Sequence, residues 1–324
     1  MFGSSRVPKG ALFGLASFAS FSTHDLVVKW LGETYPPTQI LFFSILFGFP
    51  LLALMLISQK DAGSLRPRRP VWTALRAVSG AITAAGAFYA FSKLPMAEVY
   101  ALIFAQPMLI TLLAIPLLGE TVGWRRRLAI AVGLLGVLIV LRPGPSGLSL
   151  AHAAAGVAAV TGAFAAVIVR KIGREENNAV LLVYPMLTNF ILMGASLAFF
   201  YKPMPITALG GNAAVAALGF VGMSLMILAY RNGTAATVAP MQYSQMIWAI
   251  LFGALFFDEW PDWPTLLGVS VIILSGIAIL WRESDPGVSE NQPVLNKGTP
   301  SIGAYPRIFP GLRLRFSKWR KSKG

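Results

Sequence analysis

The residues able to do chemistry in this chain are few and sit in apolar surroundings. Asp25 and Lys29 stand four apart, a spacing that puts them on one helical face where they can form an ion pair, with His24 adjacent. Such a pair either neutralises two buried charges for purely structural reasons or opens and re-pairs as a gate; the spacing alone allows both. Arg76 can snorkel to lipid headgroups or face a cavity and hold an anionic group. Glu98, with Asp25 and His24, is a group that can exchange a proton. Gln106, Gln245, Tyr243, Trp248, Tyr89, Tyr184 and Asn189 supply hydrogen bonds and ring faces, suited either to a polar or aromatic metabolite or to bonds between helices. Zero cysteines exclude disulfides, thiol nucleophiles and Cys-ligated metals, and two histidines leave little for a His-rich metal site. P-loop, HExxH and Gly-x-Ser-x-Gly patterns are missing, so no cofactor or metal is expected.

The elements that must position these groups follow from composition. Of 324 residues, 56% are hydrophobic and 12% charged, with mean hydropathy +0.66. A soluble domain carries about twice that charge. The apolar runs are of membrane-spanning length, and about 20 residues per span gives ten spans, near 10–32, 38–58, 71–92, 97–118, 125–141, 150–171, 179–200, 213–231, 236–257 and 263–281. The first run continues through Trp30 without a cleavage pattern, so it reads as a span and not a signal peptide. With both termini in the cytoplasm, 22 of the 27 Lys and Arg fall inside: two before Gly10, four from Lys60 to Arg69, three at Arg125 to Arg127, three from Arg170 to Arg174, Arg231, and nine from Arg282 onward. The positive-inside rule therefore favours an even number of spans in a bacterial inner membrane. The net charge of +14 belongs to the membrane face and not to nucleic acid.

The spans repeat. Shifted by 139 residues, Ala97 matches Ala236, Gln106 matches Gln245, Glu120 matches Glu259 and Trp124 matches Trp263; shifted by 142, Gly14 matches Gly156 and Lys29 matches Lys171. Rare residues such as Gln, Glu and Trp do not align through composition. Five spans is an odd unit, so the second copy enters from the opposite side as an inverted repeat. The expected fold is all-α: a cytoplasmic N-terminus 1–9, repeats over 10–144 and 145–282, and a basic tail 283–324 that is either disordered or adsorbed to anionic lipid. Pro107, Pro185 and Pro240 remove hydrogen bonds from spans four, seven and nine and free the carbonyls of Ile103, Leu181 and Ala236. Alanine stripes at Ala77, Ala81 and Ala85 and at Ala154, Ala158, Gly162 and Ala166 read as packing seams. Glu120 and Glu259 close spans four and nine, where they read as capping or pairing groups.

The two five-span halves, the span-four ending Leu117-Leu118-Gly119-Glu120, the Gly-rich helix Gly133 to Pro143 and the opening Ser22-Thr23-His24-Asp25 with Lys29 resemble the EamA branch of the drug/metabolite transporter superfamily. The likeness covers roughly residues 10–282. It implies a secondary carrier working by alternating access. Members are assigned amino-acid and metabolite export, riboflavin uptake and S-adenosylmethionine uptake, and Asp25, Lys29 and Leu75-Arg76 look most like the uptake members for cofactor-like metabolites. The expected partners are a small-molecule substrate, the bilayer and, for coupling, the proton. The rival readings are an exporter of the same fold, a membrane-embedded lipid-acting enzyme, and a sensor or scaffold.

Overall fold

A computed structural model of the chain describes residues 9–57, 65–142, 148–173 and 175–283; the basic tail and the first eight residues lie outside them. The described residues form helices and short connections: α1 (Lys9–Gly32), α2 (Pro37–Ile57), α3 (Pro70–Lys93), α4 (Met96–Ile103), α5 (Gln106–Leu118), α6 (Trp124–Leu141), α7 (Leu150–Ile172), α8 (Asn178–Phe200), α9 (Ile206–Asn232), α10 (Ala235–Val238), α11 (Ser244–Phe257) and α12 (Trp263–Glu283). These make ten crossings, because α4 with α5, and α10 with α11 across a 3-10 turn at Ala239–Tyr243, are two broken spans. Seven crossings are long and apolar enough to span a membrane on those grounds alone. The fifth opens on three arginines, the ninth is interrupted, and the tenth has a shorter apolar stretch.

Local chemistry sets the boundaries. Pro37 and Pro70 open α2 and α3, where a missing N–H costs nothing. Ser149 and His152 close a capping box on α7, and the Asn177 side chain accepts from Ala179 N at the start of α8. The breaks in spans four and nine fall at the expected prolines: Pro107 and Pro240 cannot donate, and the chain tightens there into i→i+3 bonds such as Ala105 N to Leu102 O at 3.2 Å. Both broken spans end alike. Gly119 and Asp258, 139 apart, adopt the left-handed conformation with φ of 71° and 53°, and Glu120 and Glu259 then turn back so that their N–H groups meet the carbonyls of Ala114 and Gly253. The eighth crossing begins at Ile206 and not near 213. Gly210 and Gly211 stay helical, with Gly211 packed against Leu31 and Trp30.

Packing obeys the inverted repeat. Under it α1 corresponds to α7, α2 to α8, α3 to α9, the broken span four to nine, and α6 to α12. The major helix pairs are α1 on α9 with its swapped counterpart α3 on α7, α5 on α7 with α1 on α11, and α3 on α8 with α2 on α9; α2 on α8 and α6 on α12 map onto themselves. Small residues make these approaches close. Ala77 and Ala81 are buried, and the Ala154 carbonyl and Ala158 Cβ lie against Gly86, so the alanine stripes are seams. Leu, Val and Phe point outward to lipid, and the buried core gathers where α1, α4, α11 and α12 meet.

Candidate substrate site

The ion contacts sort the molecule into two ends. At one end Lys29, Glu98, Arg142, His152, Lys202, Glu259 and Asp262 meet; at the other, Arg69, Glu120, Arg170, Lys171, Glu175 and Glu176.

The expected Asp25–Lys29 pair does not form. Lys29, 6% exposed, reaches Glu259 at 2.7 Å, donates to the Leu94 carbonyl at 2.8 Å and lies over the Phe257 ring. Leu94 is the C-cap of α3, so one ammonium ties together the ends of α3 and the ninth span, and Glu259 in turn accepts from Met96 N at the start of α4. An i,i+4 pairing within α1 would have been local; the tertiary partner wins because it also satisfies a carbonyl and an N-terminal N–H that would otherwise lack partners.

Asp25 turns instead to the centre. Its Oδ1 is 2.8 Å from His24 Nδ1, and its Oδ2 accepts from the Tyr100 hydroxyl at 2.5 Å. Tyr100 is 2% exposed and also reaches Ser22 at 3.4 Å, and the buried Gln245 side chain lies near it. Side chains from α1, α4 and α11 thus form one polar cluster beside the two helix breaks. His24 stands edge-on to Phe88 of α3 and in contact with Gly219 of α9. Tyr100, a polar group of span four between Glu98 and Gln106, and Ser22 of the opening motif are both visible in sequence, but nothing in the order of residues marks them as partners around Asp25.

The remaining expected residues scatter. Gln245 is buried at the start of α11, facing Tyr100, whereas its repeat mate Gln106 lays its amide against Gly162 of α7, where a Cβ would collide with it. Tyr243 stacks edge-on to Phe104 and places its hydroxyl over Gly276 of α12, a position only glycine leaves open. Trp248 packs on Phe252 and Tyr89 against the main core. Tyr184 is half-buried on α8; Asn189, on the same helix, donates to the Pro185 carbonyl at 3.0 Å while its Oδ1 is buried without a partner.

Arg76 takes neither expected route. Its guanidinium donates to the Leu181 carbonyl, the group that Pro185 deprives of its helical partner. Glu98 meets His152 Nε2 at 3.3 Å, a contact not foreseen. Glu120 pairs with Arg170 at 2.5 Å and Glu259 with Lys29, the pairing role expected of both. Above the Lys29–Glu259 tie lies a cavity of about 270 Å³ whose lining includes Glu98, Asp258, Glu259, Asp262 and Trp260. At its rim Arg142 and then Thr265 hydrogen-bond Asp262 and hold its carboxyl well below the usual carboxylate range.

Ten crossings in two inverted halves, broken spans in equivalent places and a polar cluster where the halves meet define a multi-pass membrane transporter. The chain belongs to the EamA-like transporter family, whose pattern matches it twice, over residues 8–142 and 147–281. It is 25% identical over 273 residues to the pseudopaline exporter CntI of Pseudomonas aeruginosa strain UCBPP-PA14, covering 83% of this chain and 95% of that one. It is 23% identical to the S-adenosylmethionine uptake transporter of Rickettsia bellii (83% and 92% covered) and 26% identical to the riboflavin transporter of Rhizobium johnstonii (86% and 93%). A solved crystal structure shares the fold, with a TM-score of 0.59 at 19% identity over 85% of this chain and 98% of that one.

Proposed function

We propose that the chain is a secondary carrier that moves a small polar or aromatic, cofactor-like metabolite of the riboflavin or S-adenosylmethionine type into the cell by alternating access. The observation that carries this reading is the cluster of Asp25, Tyr100 and Gln245, which draws polar groups from both repeats to the point where two spans are broken. A polar group inside a membrane is costly and persists where it lines a pathway. Without a nucleotide motif, the energy comes from a solute or proton gradient, with Asp25, His24 and Glu98 as the groups that exchange protons. The excess of basic residues favours the Arg170 end and both termini in the cytoplasm and the Lys29 end outside, in a bacterial inner membrane. Similarity to the pseudopaline exporter favours export as the second reading. A lipid-acting enzyme finds no support in a transporter family match.

The test is uptake of labelled riboflavin and S-adenosylmethionine into proteoliposomes holding the purified chain, with rescue of the matching auxotrophs. Uptake of one of them that falls about tenfold or more in Tyr100→Phe supports the reading. A folded protein that moves neither compound in either direction would sink it.

A further inference from the structure

Four acids in the described helices and their connections have a lysine or arginine against them: Glu259 has Lys29, Glu120 has Arg170, Glu175 has Arg69 and Asp262 has Arg142. Glu98 meets His152. Glu176 accepts from the Arg69 backbone at the head of α3. Asp25 forms no ion pair with a lysine or arginine among the described residues; its partners are the neighbouring His24 and the Tyr100 hydroxyl. Neither partner brings a permanent positive charge to the Asp25 carboxyl, which sits within the first span.

We propose that Asp25 is the cation-recognising group of the central site, and that the substrate presents to it an organic cation, a sulfonium or an ammonium. This rests on the carrier reading above and narrows it. Asp25 lies four residues, about 6 Å of helix rise, below the Lys29 tie. Its side chain is 17% exposed and that of His24 is 20% exposed, although Tyr100, which holds the carboxylate, is buried, so the acid is not sealed off. Two hydrogen bonds leave carboxylate lone pairs unused. The ring of Tyr100 has Phe91 and Phe104 at 5.4 and 5.9 Å, and Phe88 stands 6.0 Å from His24, so the acid is set among aromatic rings, the surroundings that favour a weakly hydrated organic cation.

Apart from His24, no nearby element brings a cation to Asp25 among the described residues. In α1 the groups near Asp25 are His24 and Lys29, the latter committed to Glu259; α4 offers Tyr100 and Glu98. α11 has no charged residue, and α9 has Arg231 in its last turn only. The cations of α3 are Lys93 at its end and Arg76, which serves Leu181. The cavity above repeats the sign: four carboxylates line it, and Lys29 and Arg142 offset two. An acidic vestibule concentrates cations before they reach the site.

The test titrates matched pairs into the full chain in nanodiscs: S-adenosylmethionine against its uncharged thioether counterpart S-adenosylhomocysteine, and choline against the neutral isostere 3,3-dimethylbutanol. At least one charged member should bind about tenfold or more tightly than its neutral mate. Asp25→Asn should erase that preference, and Asp25→Glu should retain it. The proposal fails if no charged member binds, if the neutral mates bind as well, or if folded Asp25→Asn keeps the preference. Transport of riboflavin unaffected by Asp25→Asn would overturn the proposal and leave the carrier reading standing, whereas a folded chain that transports none of the compounds would overturn the carrier reading itself.

Discussion

The two ends of the molecule are made from the same repeat and are not in the same state. At each, a broken span finishes on a left-handed residue followed by a glutamate, Gly119-Glu120 at one and Asp258-Glu259 at the other. Lys29 and Lys171 correspond, yet Lys29 is sealed beneath Glu259, Leu94 and Phe257, while Lys171 is exposed, donating to the Leu117 carbonyl at 3.0 Å beside Trp72 and leaving Glu120 to Arg170. At the Lys29 end α1 packs on α3, with Gly32 against Ser92; the equivalent helices α7 and α9 make no comparable contact among the described residues. An inverted repeat in which one contact is made and its counterpart is not has one end shut and the other looser, and exchanging those roles is what alternating access requires. On the carrier reading proposed above, the Lys29–Glu259 tie serves as the gate at the shut end.

Lys29→Met should break this comparison most severely. It leaves the partly buried Glu259 without its cation and Leu94 without a donor, a loss of about 3 kcal/mol for the closed form, the low end for a buried pair because Glu259 is 23% exposed. Lys171→Met, at an exposed site, should cost less than about 1 kcal/mol. Thermal unfolding in nanodiscs measures both, and equal shifts would show that the two ends do not differ. Spin labels at Glu33 and Lys93, and at Gly173 and Arg231, sharpen the point: substrate should lengthen the first distance and shorten the second.

The second prediction lies at the looser end. If Arg76 serves the carbonyl that Pro185 strands, Arg76→Leu should destabilise by about 1.5–3 kcal/mol, the range for a hydrogen bond from a charged donor. Pro185→Ala restores an N–H to Leu181 and should recover most of that loss in the double variant. Undiminished damage in the double variant would mean that Arg76 acts elsewhere.

What could be read from the sequence divides along physical lines. Span positions, the inverted repeat and the pairing of Glu120 and Glu259 were legible because hydropathy, charge bias and rare matched residues are properties of the chain itself. The stranded carbonyl of Leu181 was legible because Pro lacks an N–H wherever it sits, but its donor was not, since nothing in the order of residues brings Arg76 of α3 to α8. Asp25 and Lys29 show the limit of local rules. Four-residue spacing makes contact available, and the partner is then chosen by whichever arrangement satisfies more buried groups, here Glu259 and Leu94 for one and Tyr100 for the other. Gln106 and Gln245 match in sequence yet differ in surroundings, one amide lying against Gly162 and the other buried at the start of α11.

That difference gives a third prediction. Gln245→Leu removes an amide facing Tyr100 and should weaken substrate binding by about 1–2 kcal/mol without unfolding the chain. Gln106→Leu, against Gly162, should weaken it less in this state. Equal losses in affinity measured by equilibrium binding would place both glutamines on the substrate.

The smallest expected effect concerns a tie that exists at one end only. Arg142 and Asp262 join the fifth and tenth spans at the rim, and the repeat puts Trp281 and Gly123 in the corresponding places, so no equivalent pair can form opposite. Asp262 is held below its ordinary range first by Arg142 and then by Thr265. A carboxyl whose folded value is depressed contributes stability above its unfolded value, about pH 4, and loses it as pH falls through the folded one. Asp262→Asn keeps a side chain able to accept from Thr265 N at the head of α12 and removes only the charge. Because both partners are exposed, the gap between wild type and variant should be only about 0.2–1 kcal/mol at neutral pH, shrink with added salt, and narrow from about pH 4 downward, closing as pH falls through the lowered folded value. A gap that ignores pH and salt would show that the tie holds the rim through shape and hydrogen bonding, with its charge contributing nothing to the difference between the ends.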